Sequence, residues 1–290
     1  MSSLADWGEA GKKYTIHPAT LSFFEKTKTL GLRGYEECSL EEFRASALRR
    51  TELFAGHADF TGSDIEYIVP CEGNEAGVAV SVYKPADVSR VPAIWIYFHG
   101  GGLVIGSRNF RARCIVVNVE YRLAPEHKAP AAFDDCRAVA RWVLQNKTLI
   151  GGGAESQVGI GGDSAGGQLT ACVSQDVKGL AFQILVYPVT DLSLTAPSYA
   201  EFYDTPGLNT KSMECFKGLP PALVIIAELD PLRDDGLAYA EKLKEAGVPT
   251  EFLLVRGAAH AFFHMHGHFK QITKEPYDRV VEFLNRFQKD

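Results

Sequence analysis

Short apolar runs recur along this chain and are separated by amphipathic or polar stretches. Eight of these runs are rich in β-branched and aromatic residues and predict β-strands. We place the strands at Ile65–Val69, Val78–Tyr83, Ala93–Phe98, Cys114–Tyr121, Gln157–Gly161, Ala181–Tyr187, Ala222–Ala227 and Thr250–Val255. Continuous apolar runs are typical of strands buried on both faces of a parallel sheet. The pattern therefore predicts the α/β class, with one large sheet.

Stretches with helical periodicity follow several of these strands. We predict helices at Ala131–Gln145, Gly166–Asp176, Leu232–Ala246 and Pro276–Phe287. Gly247 and Pro249 stop the third of them, because glycine suits the position after a helix and proline cannot continue one. Pro276 suits the first position of the last helix, where its missing N–H costs nothing.

Two glycine-rich motifs follow predicted strands. The first is His99-Gly100-Gly101-Gly102, after Ala93–Phe98, and the second is Gly162-Asp163-Ser164-Ala165-Gly166, between a strand and a helix. In that setting a G-x-S-x-G sequence describes a sharp turn that exposes a nucleophilic serine, here Ser164. A glycine run can point backbone N–H groups at a developing oxyanion. Together the two motifs predict a serine hydrolase.

A serine nucleophile needs a base and a carboxylate that orients the base. Asp230 follows the predicted strand Ala222–Ala227, and His260 follows the last strand, so both lie where a parallel sheet collects its catalytic groups. Asp230 could instead be only a helix N-cap. Rival carboxylates and imidazoles lie nearby: Asp234, Asp235, His264, His266 and His268.

Five ordered motifs resemble those of the hormone-sensitive-lipase branch of the α/β-hydrolases, which includes bacterial carboxylesterases and arylacetamide deacetylase-like enzymes. The motifs are HGGG at His99–Gly102, YRLAPE at Tyr121–Glu126, GDSAG at Gly162–Gly166, DPLRD at Asp230–Asp234 and GAAHAF at Gly257–Phe262. The resemblance runs from about Val69 to the C-terminus. It implies an α/β-hydrolase fold, with an eight-stranded, mostly parallel sheet flanked by helices and a small helical cap.

The resemblance also implies roles for individual residues. Ser164, Asp230 and His260 would form the catalytic triad. The backbone N–H groups of Gly101, Gly102 and Ala165 would form the oxyanion hole. His99, Glu126 and Asp163 would support the site, with Glu126 a structural carboxylate outside the triad.

Residues from about Thr15 to His57 read as helical. Ser39 and Glu42 form a capping box, and Leu40, Phe43 and Ala47 share an apolar face. The resemblance suggests that this stretch covers the catalytic edge; the alternative is that it packs on the flank of the sheet. We divide the chain into an N-terminal helical cap segment, 1–60, and a catalytic domain, 61–290, with 191–219 contributing to the cap.

These residues predict hydrolysis of carboxylic esters with small to medium acyl chains, through an acyl-serine intermediate. Two alternatives stay open: an amide deacetylase with the same triad, and a non-catalytic ligand-binding protein on the same scaffold. We expect no metal or other cofactor. The spacing of His260 and His264 resembles that of zinc-binding helices, but the glutamate of H-E-x-x-H is missing and Gly267 interrupts any helix.

The composition of the chain limits the classes of binding partner and the cellular location that we expect. A formal net charge of −6 and the lack of a basic run argue against nucleic-acid binding. We see no signal peptide and no apolar stretch near the ~18 residues of a membrane span. Six scattered cysteines without a C-x-x-C pair favour free thiols and a cytoplasmic protein. We expect a small-molecule ester as substrate and leave a homodimer open.

Two segments are shorter than the resemblance implies. Only the eleven residues Leu103–Arg113 lie between the HGGG motif and the next strand, and a parallel crossover needs about a dozen or more. Asp191–Leu219 is likewise short for a cap region. We expect that loop residues are missing from both places, with a broken or overstretched link between Gly106 and Cys114 and a similar gap between Asp191 and Leu219.

Overall fold

A single eight-stranded sheet organises the molecule. The computed structural model describes residues 7, 10–33, 38–56, 61–106, 112–190, 196–198 and 218–289. The strands are β1 (Gly62–Cys71), β2 (Asn74–Pro85), β3 (Ile94–Phe98), β4 (Ile115–Glu120), β5 (Val158–Asp163), β6 (Gln183–Val186), β7 (Ala222–Leu229) and β8 (Thr250–Ala259). Their order is β1-β2-β4-β3-β5-β6-β7-β8.

The predicted mostly parallel sheet is confirmed. β2 pairs antiparallel with both β1 and β4, and every other neighbouring pair is parallel. β3, β5, β6 and β7 are buried along their whole length, which agrees with their largely apolar sequences. The edge strands β1 and β8 are less covered: Val69 is the one buried residue of β1, and β8 is buried mainly at its carboxyl end.

Side chains alternate across β3 into two separate cores. Ile94, Ile96 and Phe98 pack with apolar residues of the helices on one face. Trp95 and Tyr97 pack on the other face with residues of the N-terminal and C-terminal helices. This alternation follows from the two-residue repeat of a strand, so both faces of the central sheet are covered by helices.

The helices are α1 (Ala10–Lys13), α2 (Pro18–Thr29), α3 (Leu40–Phe54), α4 (Ala131–Gln145), α5 (Ala165–Asp176), α6 (Arg233–Glu245) and α7 (Lys274–Asn285). Gly247, with a φ of 77°, lies just beyond α6 as predicted. The expected place of Pro276 at the first position of the last helix is wrong, because α7 begins two residues earlier, at Lys274. A proline is tolerated there because the first four N–H groups of a helix have no intrahelical partner.

The N-terminal helical stretch is interrupted. α2 ends at Thr29, and Gly31 follows with a φ of 63°, a backbone conformation that glycine adopts at little cost. The capping box of α3 is confirmed: the Ser39 side chain accepts from the Glu42 N–H, and the Glu42 side chain accepts from the Ser39 N–H. Residues 34–37 lie outside the described part of the chain.

The two short segments fall partly outside the described residues. β3 and β4 are parallel neighbours, so the chain between them must cross back along the sheet. Residues 107–111 of that connection, and residues 191–195 and 199–217 of the second segment, are not described. The expected interruptions between Gly106 and Cys114 and between Asp191 and Leu219 therefore stay predictions.

Candidate active site

Ser164 lies on a strained turn between β5 and α5. Its φ is 53° and its ψ is −117°, values that a residue with a side chain rarely adopts. The turn brings backbone so close that a Cβ atom on Gly166 would lie 1.9 Å from the Phe98 carbonyl oxygen, and one on Gly162 would lie 2.2 Å from the same oxygen. Glycine is thus required on both sides of the serine for the turn to pack against β3.

Ser164, His260 and Asp230 are joined in one chain of hydrogen bonds. The His260 Nε2 lies 2.9 Å from the Ser164 Oγ, and the His260 Nδ1 lies 2.7 Å from the Asp230 Oδ2. An ionised carboxylate only accepts hydrogen bonds, so Asp230 places the imidazole proton on Nδ1 and leaves Nε2 to accept from the serine. Asp230 is fully buried, and its other oxygen accepts from the Leu232 N–H at 2.9 Å.

The surroundings of His260 raise its pKa above the ordinary histidine value. Burial acts to lower this pKa, but the negative charge and hydrogen bond of Asp230 outweigh it, and the charge of Asp163 adds to them. The His260 side chain is 36% exposed, so solvent moderates each of these effects. The hydrogen-bond geometry and the charges therefore both favour the pairing of His260 with Asp230.

The rival carboxylates have other partners. Asp234 pairs with the Arg233 Nε at 2.8 Å and accepts from the Ser198 N–H at 2.9 Å. Asp235, the next residue in the chain, is buried within α6. Of these carboxylates, Asp230 is the one that the structure brings to His260 within hydrogen-bonding distance.

The glycine loop after β3 turns repeatedly through the left-handed region. The φ values are 122° at Gly101, 61° at Gly102 and 63° at Leu103. A Cβ atom on Gly101 would lie 2.1 Å from the Ile105 carbonyl oxygen, so a side chain is excluded there. Ala165, the third residue of the expected oxyanion hole, is the first residue of α5, where the helix dipole favours negative charge.

Asp163 connects the serine turn to the glycine loop. Asp163 is 3% exposed, and its carboxylate accepts hydrogen bonds from the Tyr97 hydroxyl at 2.6 Å and the Gly100 N–H at 2.8 Å. The His264 Nδ1 lies 3.3 Å from its second oxygen. Burial acts to raise the pKa of Asp163, but His264, Tyr97 and Gly100 together hold it below the ordinary value. A buried carboxylate with these partners stays ionised.

His99 begins the glycine motif as a buried, neutral side chain. Burial lowers its pKa, and its ring stacks on Tyr121 at a centroid distance of 4.2 Å. The Tyr121 hydroxyl donates to the His99 carbonyl oxygen at 2.6 Å. Within the described residues, the His99 Nε2 has no hydrogen-bond partner.

Glu126 pairs with an arginine of the N-terminal helices. Its carboxylate receives two hydrogen bonds from Arg44 of α3, at 2.7 and 2.8 Å. The hydrogen bond from Arg44 is the main cause that lowers the pKa of Glu126 to about 2. The structure thus places Glu126 beside the glycine loop and outside the Ser164–His260–Asp230 chain.

Sequence reasoning missed three residues around the site: Arg44, Tyr187 and His264 as a partner of Asp163. The Tyr187 ring lies 4.6 Å from the His260 ring, centroid to centroid, and its hydroxyl lies 3.4 Å from the His264 Nδ1. These contacts join residues far apart in sequence. No motif spacing could have indicated them.

The histidines after β8 have separate partners. His268 Nε2 lies 3.0 Å from the Ala19 carbonyl oxygen, and the His266 ring packs edge-on against Tyr277. In the part of the chain that the structure describes, no group of three or more potential metal-binding side chains is found. Likewise, no described helix is both long and apolar enough to cross a membrane.

Comparison with known proteins points to esterases. A carboxylesterase named NlhH of Mycobacterium tuberculosis is 38% identical over 216 aligned positions, covering 60% of this chain and 67% of the relative. An ethyl acetate hydrolase of Pseudomonas putida is 29% identical and covers 85% of this chain and 90% of the relative. The crystal structure of a thermostable esterase from P. putida superimposes with a TM-score of 0.81 at 26% identity, covering 95% of this chain and 98% of that one.

The alignments also show that this chain is shorter than its relatives within the matched region. The NlhH alignment runs over 216 positions but covers 60% of the 290 residues, about 174, so about 42 positions have no residue of this chain. The ethyl acetate hydrolase alignment runs over 290 positions and covers 85%, about 246 residues, which leaves about 44 such positions. Two relatives thus agree on the size of the difference.

The family comparison covers the reacting residues of the candidate site. A family model described as the alpha/beta hydrolase fold matches residues 95–218 and 214–264, which together make up more than half of the chain. The matched residues include both glycine motifs, Asp230 and His260. This protein is a member of the alpha/beta hydrolase fold family and of its hormone-sensitive-lipase-like branch.

Proposed function

We propose that this protein hydrolyses carboxylic esters through an acyl-serine intermediate. The observation that carries the proposal is the continuous hydrogen-bonded chain Ser164–His260–Asp230, with links of 2.9 and 2.7 Å, at a strained serine turn. That arrangement is the one a weak hydroxyl nucleophile needs. The relatives and structural neighbours described above are named esterases and ester hydrolases, which supports the same reaction class.

In the first half of the reaction, the Ser164 Oγ attacks the ester carbonyl carbon while the His260 Nε2 takes its proton. The carbonyl oxygen becomes an oxyanion, held by the N–H groups of Gly101, Gly102 and Ala165. The intermediate collapses, the ester C–O bond breaks, and His260 gives its proton to the departing alkoxide. The alcohol leaves and the acyl group stays on Ser164.

In the second half, water replaces the alcohol. His260 takes a proton from water as its oxygen attacks the acyl carbon, and then returns that proton to Ser164 as the carboxylic acid leaves. Asp230 holds the imidazole in one tautomer and stabilises its charged form at each proton transfer. No cofactor is needed for these steps.

We further propose that residues 1–60 form a cap over the site, with 61–290 as the catalytic domain and 191–219 adding to the cap. Contacts at both ends of α3 support this arrangement. Arg44, in its first half, binds the segment after β4, whereas the Phe54 and Ala55 carbonyls accept from the His268 and Gly267 N–H groups after β8. α3 therefore contacts both the segment after β4 and the loop that follows His260. A cap so placed would limit acyl size and favour small to medium acyl chains.

A cytoplasmic location and a homodimer complete the proposal. Cys71, Cys114, Cys136 and Cys172 are free thiols, as a reducing compartment predicts. Cell fractionation tests the location, and light scattering on the purified protein tests the dimer.

The proposed function is tested with p-nitrophenyl esters from acetate to laurate, together with the matched p-nitroanilides. We expect ester hydrolysis that is fastest with the shorter chains and falls on the order of 10⁴-fold or more in Ser164→Ala. Ser89→Ala is the control, because Ser89 lies near Gln288 and precedes β3, whereas the glycine motif follows the other end of that strand. Faster turnover of anilides than of esters would favour the amide deacetylase. A wild-type rate equal to that of Ser164→Ala would favour the binding protein.

A further inference from the structure

Arg44 of α3 binds three separate points beside the glycine loop. Its Nε donates to the Val104 carbonyl oxygen at 3.0 Å, and one terminal nitrogen donates to the Ala124 carbonyl oxygen at 2.9 Å. The same guanidinium makes the two hydrogen bonds to Glu126. Four hydrogen bonds thus connect one side chain of the N-terminal helices to Val104 of the loop and to the segment that follows β4.

The loop that Arg44 contacts is in a costly conformation. Leu103 carries a side chain at a φ of 63°, directly after the two left-handed glycines. Such backbone persists only where the surroundings hold it. Within the loop, the Gly101 carbonyl accepts from the Val104 and Ile105 N–H groups, and the Leu103 carbonyl accepts from the Ala124 N–H at 2.8 Å.

Arg44 supplies a contact that the loop does not make for itself. Through Val104 it holds the end of the left-handed run, and through Ala124 it holds the segment to which Leu103 is bonded. Both restraints act on the residues directly after Gly101 and Gly102. A shift of this backbone would turn the two glycine N–H groups away from the oxyanion.

An exposed ion pair by itself contributes little, so the two carbonyl contacts are the informative ones. The two Glu126 carboxylate oxygens accept from the two terminal nitrogens of the guanidinium. This paired geometry orients the remaining N–H groups toward the carbonyls of Val104 and Ala124. Lysine has no planar fork and could bind one of these groups at a time. The arrangement therefore requires arginine by its geometry as well as its charge.

We infer that Arg44 is a positioning residue for the oxyanion hole, through which the N-terminal helices fix the backbone of the glycine loop. This inference rests on the proposed esterase function. It adds that residues 1–60 act on the chemical step as well as on the shape of the substrate pocket.

The kinetic test compares Arg44→Met, Arg44→Lys and a matched control, Arg141→Met. Arg141 makes a 2.7 Å ion pair with Asp176 on the helices α4 and α5, so its loss removes an equally short pair without touching the loop. We expect kcat of Arg44→Met to fall about 10- to 100-fold with KM within about threefold, since a misplaced loop weakens the transition state most. The kcat of Arg44→Lys should lie between those of wild type and Arg44→Met, and the kcat of the control should stay within about twofold of wild type.

A second readout separates positioning from a general loss of structure. A trifluoromethyl ketone forms a tetrahedral adduct on the serine, so its affinity should fall in parallel with kcat in Arg44→Met, whereas affinity for the product alcohol should not change. Equal loss of both affinities, or a kcat above half of wild type, would overturn the inference. If Arg44→Met does not fold, Arg44→Lys takes its place, and a kcat of Arg44→Lys equal to that of Arg141→Met would overturn the inference.

Amide hydrogen exchange tests the loop without any enzymatic activity. Exchange at Val104, Ile105 and Ala124 should be about tenfold faster in Arg44→Met than in wild type, and unchanged in Arg141→Met. Unchanged exchange at these amides would contradict the role of Arg44 even if activity fell. If the wild type hydrolysed no ester but exchange at these amides were still faster in Arg44→Met, the proposed function would be refuted and the role of Arg44 in holding the loop would stand.

Discussion

The Asp163 carboxylate accepts a hydrogen bond from the Gly100 amide at 2.8 Å. Asp163 precedes the candidate nucleophile, and Gly100 precedes the candidate oxyanion-hole glycines. The close approach needs glycine, because a Cβ atom on Gly100 would lie 2.4 Å from the Asp163 Oδ2. One buried carboxylate therefore fixes the distance between the two glycine motifs.

Removal of this carboxylate should destabilise the fold. Asp163→Ala removes the carboxylate that accepts from the Tyr97 hydroxyl and the Gly100 N–H and that lies 3.3 Å from the His264 Nδ1. The loss of these buried hydrogen bonds should cost about 3 kcal/mol of unfolding free energy. Urea denaturation measures the change. Asp176→Ala, which removes a more exposed carboxylate, is the control, and equal stability of the two variants would contradict the account.

The pKa of Asp163 gives this contribution a defined pH range. Its folded pKa lies below its ordinary value of 3.8, so its stabilising effect is complete above about pH 4 and is lost as the pH falls through the lower, folded pKa. We expect acid to reduce the stability of wild type more than that of Asp163→Asn below pH 4. Parallel stability curves for the two proteins in that range would contradict this expectation.

The raised pKa of His260 predicts how activity depends on pH. Neutral His260 is needed to take the serine proton, so kcat/KM should fall as the pH drops through a value above 6.5. The effect on stability has the opposite sign: the charged form is favoured in the folded state, and this stabilisation is lost as the pH rises through the folded pKa. Asp230→Asn should move the midpoint of activity downward. If the midpoint of the kcat/KM profile did not move, a group other than His260 would control the pH dependence.

Substitutions in the hydrogen-bonded chain should act as a unit. Ser164→Ala and His260→Ala should each lower kcat on the order of 10⁴- to 10⁶-fold, and the double variant should lose little more. Asp230→Asn should cost about 10⁴-fold because it stabilises the wrong imidazole tautomer. Asp234→Asn is the matched control. If it were the more damaging carboxylate substitution, Asp230 would not be the partner of His260.

The serine turn should not tolerate a methyl group at Gly166. A Cβ there meets the Phe98 carbonyl at 1.9 Å, a rigid backbone atom, so Gly166→Ala should cost about 2 kcal/mol or more. Gly153→Ala is the control, since its nearest neighbour would be the Ser156 hydroxyl at 3.9 Å. Thermal unfolding of both variants gives the comparison. Similar midpoints would mean that the turn relaxes easily.

Sequence patterns could predict the elements of this fold where local chemistry decides them. β3 and β7 are buried on both faces and are therefore almost wholly apolar, and the capping box of α3 is a contact within four residues. The predicted start of α7 is wrong because proline fits several positions of a first turn equally well. Such positions are decided by packing.

The support of the candidate site could not be predicted in the same way. Arg44 reaches Glu126 across 82 positions, and His264 reaches Asp163 across about a hundred. Nothing in the local sequence distinguishes these side chains from solvated ones, because their partners are brought to them by the sheet. The motifs identify the groups proposed to react, and the tertiary structure identifies the groups that hold them.

The most direct test of the central claim is covalent labelling with a fluorophosphonate, followed by peptide mapping. The reagent needs an activated serine and leaves its phosphonyl group on the attacking oxygen. We predict a single adduct, on Ser164, that is absent in Ser164→Ala and forms on the order of 10³-fold more slowly in His260→Ala. An adduct on a different serine, or a rate unaffected by loss of His260, would contradict the account.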